Sequence, residues 1–347
     1  MCVFLCTFVP KKDSRMKSRN WIWSCLATSL LLAACSGKSA VNAPSAAAIH
    51  QESATADPRF SADTAYQYVS DQCAFGPRVP GTPSQRRCAD WLVAQLRRHG
   101  AKVSVQETEA VAYDGTRLPV HNILGSYNTE AKMRVLLLSH WDSRHVADND
   151  PESSQRHQPV MGANDGASGV GVLLELARQC HRKLPQVGID ILLVDAEDYG
   201  APDDWKGTHD EKWWAMGTQL WCREAARQGY RATYGILLDM VGSADATFYR
   251  EYYSERYASA YVSEIWSVAS KLGYGSLFID ERGGGVTDDH VFVNRMLNLP
   301  CVDIIDYRMG QEDTGFCPEW HTTHDTMDKI SKETLQKVGN VLIQLLW

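Results

Sequence analysis

The sequence predicts an α/β fold, a three-layer sandwich with a mostly parallel, mixed central sheet and helices on both faces. Two observations lead there. Short apolar runs end in acids or imidazole: residues 135–138 continue through Ser139 into His140-Trp141-Asp142, 189–194 run into Asp195-Ala196-Glu197-Asp198, and 236–238 end at Asp239. A fourth run, 302–305, is framed by Asp303 and Asp306. Such runs read as strands buried on both faces, and open sheets bind ligands beyond the carboxyl ends of their strands. Helical patterns alternate with these strands, as crossover connections require.

Taken in order, Pro80-Gly81-Thr82-Pro83 is a turn that starts a helix, with Thr82 as N-cap and Pro83 at its first position. Cys88, Leu92, Val93 and Leu96 form its apolar stripe, and Gly100 ends it. Residues 101–112 read as an edge strand and 118–124 as its neighbour. A helix is expected over 169–180, followed after the 189–194 strand by an irregular stretch to about 212. Helices over 214–229 and 256–272 flank the strand 234–239, and Ser331 caps the last helix with Ile330 and Leu335 as a hydrophobic staple. No internal repeat and no second domain are evident. The chain has 347 residues, 44% apolar and 22% charged, enough for one large core. Its net charge of −7 and unclustered basic residues exclude nucleic acid as an expected partner.

The N-terminus reads as a leader rather than fold. Met16-Lys17-Ser18-Arg19 precedes the apolar run 21–32, and Leu32-Ala33-Ala34-Cys35 follows the bacterial lipobox pattern. The run is shorter than the ~20 residues a spanning helix needs. The expectation is a signal and lipobox region over 1–35 starting at Met16, and a membrane anchor through lipid on Cys35. A flexible tether would cover 36–58, and one catalytic domain 59–347. Ser36 after the cysteine points to an exported, periplasm-facing lipoprotein of the outer membrane. Cys73, Cys88, Cys180, Cys222, Cys301 and Cys317 contain no CxxC, and their spacing selects no disulfide pairing.

The chemistry-bearing residues gather at strand ends and adjoining loops: His140, Asp142, Asp165, Glu197, Asp198, Asp239, Asp288, Asp289, His290 and His321. Imidazole and carboxylate without thiolate suit zinc in an open catalytic site. Asp165 sits in the small-residue loop Gly162-Ala163-Asn164-Asp165-Gly166-Ala167-Ser168-Gly169, where the backbone can wrap an ion. Adjacent acids such as Glu197-Asp198 repel unless a cation neutralises one and the other serves as a base. Asp142, Asp325 and Asp328 read equally well as solvated loop acids, although Asp142 could orient His140. His145, His209 and His324 read as surface histidines. Neither a G-x-S-x-G elbow nor an H-E-x-x-H helix occurs.

As an ordered set, His140-x-Asp142, Asn164-Asp165-Gly166-x-Ser168-Gly169, Glu197-Asp198, Asp239 and His321 resembles the M28 family of zinc aminopeptidases and their relatives, the glutaminyl cyclases. The resemblance runs from Phe75-Gly76-Pro77-Arg78 to the C-terminus. It implies Glu197 as general acid/base and Asp165, Asp198 and His321 as ligands of one zinc in a cyclase acting on peptide or protein N-termini. A dizinc aminopeptidase would add His140 and Asp239 as ligands. Thr287-Asp288-Asp289-His290, Gly283-Gly284-Gly285-Val286 and Glu319-Trp320-His321-Thr322, with Phe316 before the tryptophan, resemble the cyclases. That likeness implies Asp239 and Asp288 as further catalytic residues and Trp320, Phe316 and Trp205 as substrate-binding ones, with His140 and Asp142 at a second metal or supporting the first. Asp198 and Asp303 depart from the animal cyclases, which carry Glu and His there, and Asp198 with His140-Trp141-Asp142-Ser143 resembles the bacterial branch. A non-catalytic binding module on the same fold is a further reading, which Glu197 beside Asp198 disfavours.

Overall fold

β3 (Arg134–His140) lies in the middle of the six-stranded sheet. Every residue after Arg134 in it is buried, and it pairs in parallel with β4 (Gly188–Val194) on one side and β5 (Tyr234–Asp239) on the other. Leu137 faces Ile191 across one ladder and Ile236 across the other, so apolar residues alone fill this crossing. β8 (Cys301–Ile305) extends the sheet in parallel from β5. On the far side β2 (Arg117–Tyr127) runs antiparallel to β4, and β1 (Lys102–Val111) antiparallel to β2 closes the edge. The order is β1-β2-β4-β3-β5-β8, the mostly parallel mixed sheet that the apolar runs predict. The computed structural model describes residues 57–310 and 315–347. The expected leader, Cys35 and most of the tether lie outside the described residues. Among those described, no helix is long and apolar enough to cross a membrane.

Successive strand residues feed opposite layers. Leu137, Ile191, Leu193, Ile236 and Leu238 pack with α1 (Ala62–Cys73), α2 (Pro83–Arg98), α3 (Ala167–Arg182), α5 (Tyr252–Lys271) and α7 (Lys332–Leu346). Leu136, Leu138, Leu192, Val194 and Leu237 pack with α4 (Met216–Gln228) and α6 (Asp289–Leu297). α3 presses hard on the sheet at Gly169, where a Cβ would lie 2.3 Å from the Leu238 carbonyl oxygen and 2.4 Å from Ser139 Oγ.

The caps at Thr82 and Ser331 accept from Gln85 N and Thr334 N, as their sequence positions require. α5 starts earlier than expected because Glu251 caps it, accepting from Tyr253 N and Ser254 N. Four elements had no clear sequence signal. α1 buries only four residues, one of them Gln72, so its apolar stripe is faint. α6 begins at Asp289, inside what read as a loop, with Asp288 as its N-cap. β6 (Phe248–Arg250) and β7 (Phe278–Arg282) form a small parallel ribbon whose strands, three and five residues long, are too short for a clear pattern. All six cysteines expected in the domain are free thiols, five of them buried.

Candidate active site

The parallel strands point their carboxyl ends at one crevice, with β3 delivering His140, β4 Glu197 and Asp198, and β5 Asp239. Asp165 comes from the turn before α3. Gly166 there has φ +74°, and a Cβ on it would meet the His140 ring at 2.7 Å, so only glycine lets the turn pass the imidazole. Three non-glycine residues at or beside the candidate site residues also adopt left-handed backbone: Ala196 (φ 52°), Met240 (φ 49°) and His321 (φ 54°). Each such residue costs on the order of 1–3 kcal/mol, which its surroundings must offset.

Beside Ala196 and at the Asp165 turn, the backbone is held by hydrogen bonds to buried carboxylates. Asp142 accepts from Glu197 N (3.1 Å) and Asp198 N (3.2 Å), and its Oδ1 lies 3.6 Å from His140 Nδ1. Asp325 accepts from Asn164 N (2.7 Å) and Asp165 N (3.0 Å). Neither is a solvated loop acid, whereas Asp328 is exposed as expected. His145 is not a free surface histidine either: it stacks on Tyr199 with ring centroids 3.9 Å apart, and burial lowers its pKa to about 4.

Asp165 stands between two imidazoles. Its Oδ1 is 2.9 Å from His140 Nε2, and its Oδ2 is 3.6 Å from His321 Nε2. His140 Nε2 also hydrogen-bonds Asp239 Oδ1 at 3.1 Å. On the other side His321 Nε2 approaches Asp198 Oδ1 to 3.0 Å, yet both Asp198 carboxylate oxygens are buried without a hydrogen-bond donor. Ligands ~2.0–2.1 Å from a tetrahedral zinc stand roughly 3.3–3.5 Å apart. The 3.0 and 3.6 Å separations around His321 bracket that spacing. The donor set of Asp165, Asp198 and His321 therefore fits zinc, which would also neutralise these buried acids, and His140, Asp165 and Asp239 form a second such set. His321 Nδ1 lies 3.6 Å from Asp148 Oδ1, an orienting carboxylate behind the ligand ring. Asp148 is itself held by Arg144, which is 1% exposed and also donates to the backbone oxygens of Asp198 and Gly200. Sequence reasoning missed both residues, because nothing local shows that this i,i+4 Arg–Asp pair is buried.

A cavity of about 330 Å3 opens on this cluster. Glu197, Asp239 and Asp288 line it with the three candidate ligands, and Trp214, Trp320, Phe316, Tyr307, Ile305, Met240 and Val286 form its apolar walls. Trp320 stacks on His321 at 3.7 Å and tilts against Phe316 at 4.6 Å. Trp205 is not part of the wall; it packs edge-on to Tyr113 at 4.9 Å. The 200–214 loop turns back at Gly200, where a Cβ would sit 2.1 Å from the Trp214 ring, so Trp214 reaches the cavity instead. Adjacent tryptophans at 213 and 214 leave that choice open in the sequence.

Burial raises the Glu197 pKa well above the usual carboxylate range, with Asp198, Asp288 and Asp289 adding to the shift and His140 opposing it. Burial likewise lifts Asp239 to about 6 against its His140 hydrogen bond, and lifts Asp288, beside Asp239, to about 7. Burial, then Asp288, takes Asp289 to about 8. Burial alone would lower His140, but Asp142, Asp165 and Asp239 raise it well above its ordinary value. Metal-free native protein thus keeps protons that the unfolded chain releases, Asp near pH ~3.9 and His near ~6.5. Its stability must fall as pH rises through the folded-state values. His99 and His145, both lowered to about 4, oppose this trend only below the unfolded histidine pKa. Melts of the metal-free protein should give a lower Tm at about pH 8.5 than at about pH 6.5. A Tm that rises over that window contradicts the assignment of buried protons.

Residues 122–346 match the family described as Peptidase family M28. The chain belongs to this family. A Bacteroides thetaiotaomicron glutaminyl cyclase bound to N-acetylhistamine is 48% identical, with a TM-score of 0.81 over 84% of this chain and 99% of that one. A leucine aminopeptidase precursor from the same organism is also 48% identical, with a TM-score of 0.80 over 84% and 98%. The glutaminyl-peptide cyclotransferase of Drosophila melanogaster is 25% identical over 292 residues, 77% of this chain and 75% of that protein. The chain is an M28-family enzyme whose solved relatives include bacterial glutaminyl cyclases.

Proposed function

We infer that this enzyme is a glutaminyl-peptide cyclotransferase, converting the N-terminal glutamine of peptides or proteins to pyroglutamate with release of ammonia. In this reading one zinc is held by Asp165, Asp198 and His321, and Glu197 is the general acid/base. The supporting observation is the aromatic wall of the cavity, where Trp320, Phe316 and Trp214 stand beside Glu197 and the candidate ligands. Two candidate ion positions share Asp165, one with Asp198 and His321 and the other with His140 and Asp239. Relatives named as a cyclase and as an aminopeptidase are equally similar, so the number of ions is the discriminating quantity.

Zinc bound there would polarise the γ-carbonyl of the glutamine. Glu197, buried but open to the cavity, takes a proton from the α-amine as its nitrogen bonds to the side-chain carboxamide carbon, Cδ. The bond from that carbon to the amide nitrogen breaks, and Glu197 returns the proton so that ammonia leaves. Asp239 and Asp288 border the same cavity, placed to hold the amine and the departing nitrogen. Trp214, Trp320 and Phe316 line the cavity with apolar surface, which suits ring closure because it consumes no water.

Metal analysis after dialysis tests the single-ion arrangement. One zinc per chain is expected. Two per chain would favour a dizinc aminopeptidase using His140, Asp165, Asp198, Asp239 and His321. Export and lipid attachment at Cys35 complete the proposal; a mature protein whose mass shows no lipid on Cys35 would remove that part alone.

A further inference from the structure

Asp325 does something that neither an ion ligand nor a loop acid does. It lies four residues after His321 and is 1% exposed. Its Oδ1 accepts from Asn164 N at 2.7 Å and its Oδ2 from Asp165 N at 3.0 Å, while its backbone oxygen accepts from Ala163 N at 3.3 Å. Three consecutive N–H groups of the Asp165 turn therefore end on one residue of the His321 loop. The turn is pinned from its other side by Arg78, whose guanidinium donates to the oxygens of Met161 (2.6 Å) and Gly162 (2.7 Å). Asn164 adds side-chain links, accepting from Gly242 N at 2.8 Å beyond Asp239 and reaching Cys317 Sγ at 3.8 Å. Asp165, which faces both imidazoles, thus has its backbone fixed by a carboxylate from the loop that carries one of them.

We propose that Asp325 is a positioning residue for the metal, clamping the Asn164–Asp165 turn to the His321 loop so that Asp165 and His321 keep the separation an ion requires. The inference rests on the zinc reading given above. An amide in place of the carboxylate would direct N–H groups at a backbone N–H, so Asp325→Asn removes one arm of the clamp at nearly constant volume. Ligand spacing would then relax, and supporting residues of this kind typically contribute roughly 10–100-fold to metal affinity.

The test is zinc competition against a chromogenic chelator, run on the full-length parent and on Asp325→Asn, with melts of both zinc-free forms. The variant should bind zinc roughly 10–100-fold more weakly. Its zinc-free Tm should fall by no more than ~2–4 °C, the size of one lost hydrogen bond. Excess zinc should restore kcat with KM unchanged, which a general loss of fold would not allow. Should the amide variant not fold, Asp325→Ser, which leaves room for a water between the two N–H groups, gives the same comparison. Equal zinc affinity in parent and variant overturns the clamp, as does weakening that tracks a collapse of the zinc-free melt. A parent that binds no zinc removes the reading beneath it and the clamp together.

Discussion

Glu197→Gln is expected to lower kcat by roughly 10²–10⁴-fold while zinc remains bound. The amide keeps the shape of the side chain but cannot shuttle a proton between the amine and the departing nitrogen. Zinc should stay because Glu197 is outside the set of Asp165, Asp198 and His321. The melting temperature supplies a second, opposite readout. Glu197 is buried beside Asp198, with Asp288 and Asp289 also raising its pKa, so the native state resists its ionisation. Removing that charge should leave Tm unchanged or raise it. An enzyme weakened in both activity and stability would mean that Glu197 is a structural acid. Retained turnover would take it out of the reaction.

Arg144→Met should carry the largest stability effect, about 3–5 kcal/mol, the range for breaking a buried ion pair by removing one partner. Arg144 donates Nε to Asp148 Oδ1 at 2.8 Å and Nη2 to Asp148 Oδ2 at 2.5 Å, and its guanidinium lies 4.9 Å from the Trp214 ring centre. Without it, Asp148 is a buried carboxylate left with the Asp203 N–H at 3.2 Å and His321 Nδ1 at 3.6 Å as its polar neighbours. Denaturant unfolding of the zinc-free protein measures the loss. Adding Asp148→Asn should recover part of it, since no uncompensated charge then remains. A double variant as unstable as the single one would show that Arg144 acts through its backbone and Trp214 contacts instead.

β3, β4 and β5 were legible because each is a mostly apolar, buried run that leads into polar residues, so composition and position gave the same answer. His140, Asp198 and Asp239 were legible for the same reason, since parallel strands must deliver their carboxyl ends to one edge, whereas Asp165 stood out by its small-residue loop and His321 by the family resemblance. What could not be read lies in long-range pairing. Nothing local distinguishes Asp325, which clamps a distant turn, from Asp328 three residues on, which faces solvent. Arg144 and Asp148 look like ordinary surface charges until the 200–214 loop folds over them. Trp205 and Trp214 are equally aromatic, and the close approach of Trp214 to Gly200 decides which reaches the cavity. α6 was hidden because its cap, Asp288, also belongs to the acidic cluster and read as chemistry alone.

The central claim is that the cavity closes a ring and does not hydrolyse a peptide bond. Mass spectrometry of two peptides incubated with the zinc-loaded enzyme, one beginning with glutamine and one with leucine, addresses it directly. The account predicts loss of one ammonia from the glutamine peptide and no change in the other. Release of the leading leucine, with the glutamine peptide shortened in place of cyclised, would contradict it and assign the same residues to an aminopeptidase.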